Sequence, residues 1–427
     1  MEHLSIAISS MWKRKLSVFL MMTQLVLSFW VMNHAFISMD VVHYQEKKLF
    51  AVMQMDKDTT LRLSFADVDD TEWFAERFSH LENFIKQTPG VQRYGSFDTT
   101  SITPENLPNQ RAFLEQNKKQ YAGTRLENAI ENSKIVFLDK GIYSYAKFKI
   151  INGRPLGEAD FTKKDGDVIP VLIGYNYRDV INLGDRFETI IHEKKIVYEV
   201  VGVLEQRSEW LSGNDYIADP VDNLDNFFLA PFFPIVRESE PMDVAVRMHN
   251  TFIQLDSAEM FNQVSAAILE KGRELGINPT LATVGDELQA YRENRKQVSN
   301  FSLFMGMFFL VISIIGIVSV TLSSIHARKH ELGVRMVAGA TKRDISMIIL
   351  MELVWIVTVS AVSGVMLNYV TEAFEDSSVA NIKLEMFAFP LYGKVMLVSI
   401  LVILSSVFIP LLRIKKLQLR ELVGGRD

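Results

Sequence analysis

Two histidine–glutamate pairs are the first places where side chains of this sequence could support catalysis. A zinc protease of the H-E-x-x-H type needs a second histidine one helical turn after the first, so that both imidazoles face the metal. His330 and Glu331 precede a valine at that position, and His192 and Glu193 precede an isoleucine. Neither pair therefore predicts a zinc site.

Neither the acidic nor the glycine-containing segments of the sequence have the pattern of a calcium site or of a nucleotide-binding loop. Four aspartates lie close together in the sequence: Asp215, Asp219, Asp222 and Asp225. They lack the spacing and the glycine of an EF-hand calcium loop, so we expect them to lie in a solvated loop. No G-x-x-x-x-G-K-[ST] segment, whose amides would hold nucleotide phosphates, occurs in the 427 residues. Because no nucleophile motif stands out either, the residues predict no catalytic site and no metal.

A charged segment between two apolar runs has a different character. Spacings of three and four place Leu332, Arg335, Met336 and Gly339 on related faces, which predicts a short helix over 327–337. Gly339 then permits a turn or a helix C-terminus. A short helix with fixed charges and an apolar stripe suits docking into a groove on another protein.

The residues after this glycine predict that a second helix begins at once. Thr341 and Asp344 are close to the capping-box pattern, in which a threonine hydroxyl and an acid three residues later bind free helix amides. The sequence therefore predicts a short helix, a glycine break and a new helix.

Composition indicates what must surround this segment. Hydrophobic residues make up 48% of the chain and charged residues 22%, which suits a water-soluble domain joined to a few membrane helices. The net charge of −6 argues against a nucleic-acid partner. Cysteine is absent, which removes disulfides and thiolate metal sites.

Four apolar runs are long enough to span a membrane. A spanning helix needs about 20 apolar residues, and the four runs are 16–39, 300–325, 345–370 and 391–414. A buried core helix is the alternative for each run, and a cleaved signal peptide for the first.

Lysine and arginine set the expected orientation. Basic residues flank the first run at Lys13, Arg14 and Lys15, and they recur in 326–344 and 415–427. Segment 371–390 is mainly acidic, with Glu372, Glu375, Asp376 and Glu385 against Lys383. We therefore predict a multi-pass bacterial inner-membrane protein with residues 1–15, 326–344 and 415–427 in the cytoplasm and 40–299 and 371–390 outside.

Polar residues inside the spans are functional candidates by default. Glu352 is about 10 Å from the start of the third span, so it either reaches the interface or takes part in coupling or helix pairing. Lys394 is expected to snorkel. Gln24, Asn33 and His34 in the first span are expected to be ordinary polar residues of a helix interface. The alternative for Asn33 and His34, near the outer end of the span, is that they face a partner helix or the route of a substrate.

The outer domain is predicted to be mixed α/β. Two βαβ-like units bracket a β-rich module over 130–235. We predict the first unit as strand 61–68, helix 75–87 and strand 91–97, and the second as strand 245–255, helix 257–276 and strand 279–284. The fold class is thus an α-helical membrane protein with four transmembrane helices and an α/β extracytoplasmic domain. A polar helix, 285–301, leads into the second span as a motion-transmitting rod or as a passive connector.

The segment HARKHELGVRMVAGATKRDISMIILMEL resembles the signature of the MacB/FtsX/LolC family of ABC-transporter membrane subunits, R-x-x-E-[IL]-G-[IV]-R-x-x-x-G-A. The matching residues are Arg328, Glu331, Leu332, Gly333, Val334, Arg335, Gly339 and Ala340, followed by Ile345 and Glu352 in the next helix. INGRPLGEADF is similar to the family's G-R-x-[FL]-x-x-x-D segment. The tail departs from the family, which often has a proline near Leu419.

The resemblance implies that the short helix docks on an ABC ATPase. The contact would comprise Arg328, Glu331, Leu332, Gly333, Arg335, Met336, Gly339 and Ala340. Thr341 and Asp344 would cap the helix that follows. ATP and Mg would be bound by a separate cytoplasmic ATPase subunit, so we expect no cofactor and no enzyme activity on this chain.

Further partners follow from the same resemblance. A second copy or a homologous permease would complete a homo- or heterodimer. Small residues would let helices approach, although packing within one chain is equally open: Gly306, Ser313, Gly316, Ser360 and Gly364. Membrane lipids surround the spans, and an adaptor or target protein on the outer side stays open.

Two functions of different classes remain. One is export or extraction of a hydrophobic peptide, lipoprotein or drug, driven by the ATPase. The other is FtsX-like mechanical signalling, in which the outer domain regulates an extracytoplasmic protein such as a cell-wall hydrolase. The large bipartite outer domain favours the first. A stand-alone receptor or enzyme has no support from the residues.

Overall fold

The computed structural model describes residues 12, 14–53, 55–68, 73–122, 127–191, 193–212, 221–234, 241–374 and 380–416. Several residues singled out above lie outside this description: Lys13, His192, Asp215, Asp219, Glu375, Asp376 and Leu419.

Along the chain, one long apolar helix comes first, a region of strands and shorter helices follows, and three more long apolar helices come after it. The helices are α1 (Lys15–Val52), α2 (Phe74–Gln87), α3 (Gln110–Tyr121), α4 (Lys140–Tyr143), α5 (Pro241–His249), α6 (Phe261–Glu274), α7 (Val284–Ala327), α8 (Lys329–Val337), α9 (Lys342–Ala373), α10 (Ala380–Glu385) and α11 (Phe389–Lys416). The strands are β1 (Thr60–Val68), β2 (Val91–Ile102), β3 (Ser133–Leu138), β4 (Ile150–Gly153), β5 (Ile169–Ile173), β6 (Arg186–Ile191), β7 (Lys194–Leu204), β8 (Glu209–Leu211), β9 (Val221–Asn223), β10 (Phe227–Pro231), β11 (Thr251–Leu255) and β12 (Ile277–Thr283).

Four of the described helices are long and apolar enough to cross a membrane: α1, α7, α9 and Pro390–Lys415 of α11. Two of them extend beyond their apolar runs. Helix α1 continues to Val52, and α7 begins at Val284, so the polar segment 285–301 and the second span form one helix. Continuous backbone hydrogen bonding does not depend on where the apolar residues stop.

The chain divides into two compact units. The membrane unit comprises Met1–Tyr44 with Arg292–Asp427, and the α/β unit comprises Gln45–Tyr291. The division lies inside α1 and α7, a few residues from the predicted limits at 40 and 299.

Within the α/β unit, both predicted βαβ-like units are present, and their strands interleave. The described residues form a ten-stranded sheet that begins β12-β1-β11-β2. Strand β1 is antiparallel to both β11 and β12, and β11 is antiparallel to β2. Strands β1 and β2 are therefore parallel, with a strand of the other unit between them. The sheet continues β3-β10-β5-β7-β4, with β6 beside β7, through the predicted β-rich module.

Helix–sheet packing follows the spacing of apolar residues. Phe74, Phe78, Leu81 and Ile85 recur on one face of α2 and are buried. Val264 and Ile268 of α6 belong to the same buried cluster, which covers one face of the interleaved strands. The helices of the two βαβ-like units, α2 and α6, therefore share one buried core.

One strand prediction is wrong in its first half. Residues 245–249, predicted as the beginning of a strand, are helical in α5, and the strand begins only at Thr251. Val244 and Met248 are buried four residues apart, which is helical spacing. Pro241 starts the helix, where its missing amide has no cost.

The segment INGRPLGEADF has a local structural reason for its residue pattern. The Arg154 guanidinium donates to both carboxylate oxygens of Asp160, at 2.5 and 3.1 Å. The Gly157 amide donates to the same carboxylate at 2.7 Å. Gly153 has a φ of +83° and lies so close to β7 that a Cβ atom would approach the Val201 carbonyl to 2.3 Å. These contacts hold the chain as it leaves β4.

Two Asp cluster members in the described region are not solvated as expected. Asp225 is buried and accepts a hydrogen bond from the Arg207 amide at 2.7 Å. Burial raises the pKa of Asp222, which Lys134 lowers in part. Both carboxylates therefore belong to the packing around β9.

We expect Asp160→Asn to destabilise the α/β unit by about 1–2 kcal/mol, because a charge-assisted pair is lost beside a partly exposed guanidinium. Burial acts to raise the Asp160 pKa, but Arg154 and the Gly157 amide outweigh it, so the pKa lies below its ordinary value of 3.8. The contribution is then present above about pH 4 and is lost as pH falls through the folded-state pKa. Urea unfolding at pH 7 and pH 3 measures both. An equal difference between wild type and variant at the two pH values would contradict this assignment.

Candidate functional site

Two helix breaks isolate α8 between the second and third membrane helices. Helix α7 ends at Ala327, and Arg328 takes the N-cap position of α8. At the other end, the amides of Gly339 and Ala340 bond to carbonyls of the last turn, at 3.1 and 2.9 Å. Gly339 has a φ of +102°, a left-handed conformation that glycine adopts without steric cost. The glycine therefore ends the helix.

Helix α9 restarts at a capping box. The Asp344 amide donates to the Thr341 hydroxyl at 3.2 Å, and the Thr341 amide donates to the Asp344 carboxylate at 2.8 Å. The carboxylate also lies in the first turn of α9, where the helix dipole favours negative charge. The C-terminal end of α8 and the start of α9 are thus defined by local hydrogen bonding.

The faces of α8 differ from the predicted apolar stripe. Leu332 is only 6% exposed and Gly333 is also buried, so both pack within the chain. The exposed apolar side chains are Val334 and Val337, at 55% and 66%. Met336 and Ala340 are half-buried, and Gly339 is exposed. The predicted stripe therefore anchors α8, and a neighbouring face is open.

A charge pair lies beside this open face. The Arg335 guanidinium donates to the Glu331 carboxylate, one helical turn away, at 3.1 Å. The two side chains are 35% and 40% exposed. Exposed pairs of this kind add little to helix stability. Their charges are instead available to orient a partner, while Val334 and Val337 offer apolar area to bury.

Glu352 joins three elements of the membrane unit. It is 4% exposed, and its two carboxylate oxygens accept from Arg14 at 2.8 Å and from Arg328 at 3.3 Å. Arg14 immediately precedes α1, Arg328 caps α8, and Glu352 lies in α9. The structure thus pairs Glu352 with the residue that precedes α1 and with the N-cap residue of α8.

This arginine–glutamate–arginine triad fixes where α8 begins. Removing one member of a buried ion pair leaves an uncompensated charge and costs several kcal/mol. Arg328 therefore cannot move away from Glu352 without a large loss of free energy.

A second set of ion pairs lies at the opposite end of the same helices. Glu372, 3% exposed, contacts His34 at 3.2 Å and Lys383 at 2.8 Å. Lys394 binds both carboxylate oxygens of Asp40, at 2.7 and 2.8 Å. Lys394, for which snorkelling is the expectation, thus pairs with a carboxylate on α1 that directly follows the first predicted span.

The other polar residues of α1 are mostly internal. Asn33 is 1% exposed and lies inside the helix packing, and Gln24 approaches Gly316, to within 3.7 Å of the position of an added Cβ. Asn368 of α9 donates to the Trp30 carbonyl of α1 at 2.8 Å. Of these side chains, Asn368 forms a hydrogen bond between two helices, whereas the amide group of Asn33 is buried with no hydrogen-bond partner among the described residues.

The small residues of α7 and α9 also face α1. An added Cβ at Gly306 would lie 2.5 Å from Met32, and one at Gly364 would lie 2.7 Å from Phe29. Ser313 is 3.3 Å from the Ser28 hydroxyl. Ser360 donates to the Met22 carbonyl at 3.4 Å. These small residues therefore provide close packing between helices of one chain, which is one of the two alternatives that the sequence left open.

We expect Gly364→Ala to destabilise the membrane unit by about 1–3 kcal/mol, since the methyl group meets α1 backbone and side-chain atoms. Gly393→Ala is the matched control, because nothing lies within 4 Å of its added Cβ. Helix propensity makes that control neutral or stabilising by up to about 1 kcal/mol. Unfolding by sodium dodecyl sulfate in mixed micelles measures both, and equal midpoints would contradict the packing role.

Sequence reasoning missed Arg14 as a site residue and the face formed by Val334 and Val337. A buried glutamate in a membrane helix signals that a cationic partner exists, but it does not say which. The i, i+3 spacing of the two valines was a visible signal. It was outweighed by the longer stripe through Leu332.

The fold and this site define a multi-pass membrane protein in which a short helix between two spans presents an apolar and charged face. Comparisons with known proteins agree with that class. Residues 303–419 match the family model described as FtsX-like permease C-terminal.

Curated relatives match over different lengths. The chain is 25% identical over 267 residues to the pyoverdine export ATP-binding/permease protein PvdT of Pseudomonas syringae pv. tomato, which is 61% of this chain and 38% of the relative. It is 34% identical over 91 residues to the macrolide export ATP-binding/permease protein MacB of Campylobacter jejuni, 21% of this chain and 14% of the relative. The chain thus spans well under half the length of either relative.

Among solved structures, the extracellular domain of the noncanonic ABC-type transporter YknZ from Gram-positive bacteria is similar, with a TM-score of 0.33 and 15% identity. The match covers 52% of this chain and 99% of that one. The family model over residues 303–419 and the partial matches to these relatives support the MacB/FtsX type of ABC transporter permease for this chain. A permease with four apolar spans is an inner-membrane protein.

Proposed function

We propose that this permease converts ATP binding and hydrolysis by a separate ABC ATPase into movement of its α/β unit, and thereby exports or extracts a hydrophobic substrate such as a peptide, lipoprotein or drug. The ATPase would bind ATP and Mg. Two permease subunits, identical or homologous, would form one transporter. The relatives named above are exporters by their descriptions, which favours transport over signalling.

The observation that carries this proposal is the construction of α8. The helix exposes Val334 and Val337 beside the Glu331–Arg335 pair. A partner that buries the valines and matches the charges would hold α8 in one orientation. We assign this face to the ATPase contact.

The anchoring of α8 supports transmission of motion. Arg328 joins α8 to α1 and α9 through Glu352. It also directly follows Ala327, the last residue of α7, which is one helix of 44 residues and about 66 Å. A pull on α8 would therefore act on the end of a single long helix, which favours the rod over the passive connector.

The orientation is part of the proposal. Basic residues at Arg14 and Lys15 and around α8 favour that end of the membrane unit in the cytoplasm. Because the sequence has no cysteine, single cysteines report topology without background. We expect Ala338→Cys to react with a membrane-impermeant maleimide only in inverted membrane vesicles. We expect Lys164→Cys to react only in whole cells whose outer envelope has been made permeable to the reagent. Labelling of both from one side would overturn the scheme.

The function itself is tested by reconstitution. The chain is co-expressed with the ABC ATPase encoded beside it, and tagged permease is purified. We expect the ATPase to co-elute and its hydrolysis to rise in proteoliposomes. Uptake of a hydrophobic peptide into inverted vesicles would support export. A coupled ATPase with no flux, but with activation of an added cell-wall hydrolase, would replace export by signalling; no complex at all would contradict both.

A further inference from the structure

A cavity of about 410 Å³ lies at the end of the membrane unit that carries α8. The last turns of α7, the first residue of α8 and the last turns of α11 form its wall. It contains none of the residues of the open face of α8 and none of the triad around Glu352. It is therefore separate from the candidate coupling contact.

The polar part of this cavity is cationic. Lys329 and Arg413 line it together with His326, and none of the described lining residues is an aspartate or a glutamate. Within the described part of the chain, none of these three side chains forms an ion pair. Lys329 and Arg413 thus line one space in which no carboxylate of the described residues pairs with them. Such a site attracts an anion.

The remaining wall is apolar. Leu322 on α7 and Ile409 and Leu412 on α11 line the cavity, and the last two are 49% and 44% exposed. These residues belong to helices that are long and apolar enough to cross a membrane, near the ends of both helices. A ligand of this cavity therefore combines a negative head at the membrane surface with a hydrocarbon part along the helices.

We propose that the cavity binds an anionic phospholipid of the phosphatidylglycerol type. Its phosphate lies between Lys329 and Arg413, and an acyl chain lies against Leu322, Ile409 and Leu412. Basic pockets between membrane helices at the bilayer surface select anionic headgroups in this way. The site does not depend on which protein binds α8.

The test is native mass spectrometry of the full-length purified chain in detergent, titrated with dioleoyl phosphatidylglycerol or dioleoyl phosphatidylcholine. The wild type is expected to bind phosphatidylglycerol preferentially. Lys329→Gln with Arg413→Gln is expected to weaken that binding about 30-fold, since each of the two cations near the surface contributes about a fivefold effect. Lys329→Arg with Arg413→Lys keeps both charges and is expected to retain it.

Arg343→Gln with Lys415→Gln is the matched control, because it removes one arginine and one lysine, both exposed, from the same end of the unit but outside the cavity. It is expected to bind as wild type. Equal losses in the two neutralised variants, or equal binding of both lipids by the wild type, would overturn the site. Displacement of the lipid by millimolar glycerol phosphate would overturn the lipid assignment. Gel filtration and circular dichroism verify that each variant is folded.

Discussion

Exchange of the two charges on α8, Glu331→Lys with Arg335→Glu, is expected to weaken binding of the ABC ATPase at least about 30-fold and to abolish permease-stimulated ATP hydrolysis. After the exchange, each of the two charges on α8 faces a charge of the same sign on the ATPase. Such like-charge contacts at an interface cost several kcal/mol. Loss of one interface hot spot alone amounts to about 2 kcal/mol, or about 30-fold.

The design separates docking from helix stability. The exchanged residues remain four apart, so an ion pair still forms within α8, as Glu331 and Arg335 do at 3.1 Å. The matched control is the same exchange at Arg111 and Glu115, an exposed i, i+4 pair of 3.2 Å on α3. It is expected to leave the complex unchanged.

A second pair of variants tests the apolar part of the face. Val334→Ser with Val337→Ser leaves every charge in place and removes only exposed apolar groups. We expect this variant to weaken the complex as well, by faster dissociation. Surface plasmon resonance of the purified proteins measures both variants. Unchanged affinity in the charge exchange would show that another surface binds the ATPase.

Glu352→Leu is expected to destabilise the membrane unit by about 2–4 kcal/mol. The substitution leaves Arg14 and Arg328 without their carboxylate, at side-chain exposures of only 20% and 16%. Breaking a buried pair costs about 3–5 kcal/mol, and the partial exposure of the guanidiniums lowers that figure. The unfolding midpoint in mixed dodecyl sulfate micelles is the measurement.

Two controls make this result specific to the buried triad. Asp40→Asn breaks a half-exposed pair with Lys394 and is expected to cost less than about 1 kcal/mol. The triple variant Arg14→Met, Arg328→Met, Glu352→Leu removes all three charges and is expected to recover most of the lost stability. Equal midpoints for Glu352→Leu and Asp40→Asn would show that the triad is not a stabilising junction.

The triple variant also distinguishes stability from transmission. If Arg328 transmits movement of α8 through Glu352, the triple variant folds and still binds the ATPase, but its ATPase activity no longer drives export. Retained export in a stable triple variant would show that α8 acts through α7 alone. Reconstituted vesicles measure binding, hydrolysis and flux on one preparation.

Features that depend on residues close together along the chain could be predicted from the amino-acid sequence. Apolar runs predicted the four membrane helices, because the bilayer requires about 20 apolar residues in succession. Gly339 and the Thr341–Asp344 box predicted the end of α8 and the start of α9, because both rest on bonds within three or four residues. The contacts of Asp160 with Arg154 and Gly157 are equally local.

Contacts between residues far apart along the chain could not be predicted in this way. Arg14 and Glu352 are 338 residues apart, and Asp40 and Lys394 are 354 apart, so no periodicity links them. The interleaving of β1 and β2 with β11 and β12 is decided by strand pairing between the two units, which alternation within a strand does not specify. The open face of α8 was settled in the same way, because packing against the rest of the chain buries Leu332 and leaves Val334 and Val337 exposed.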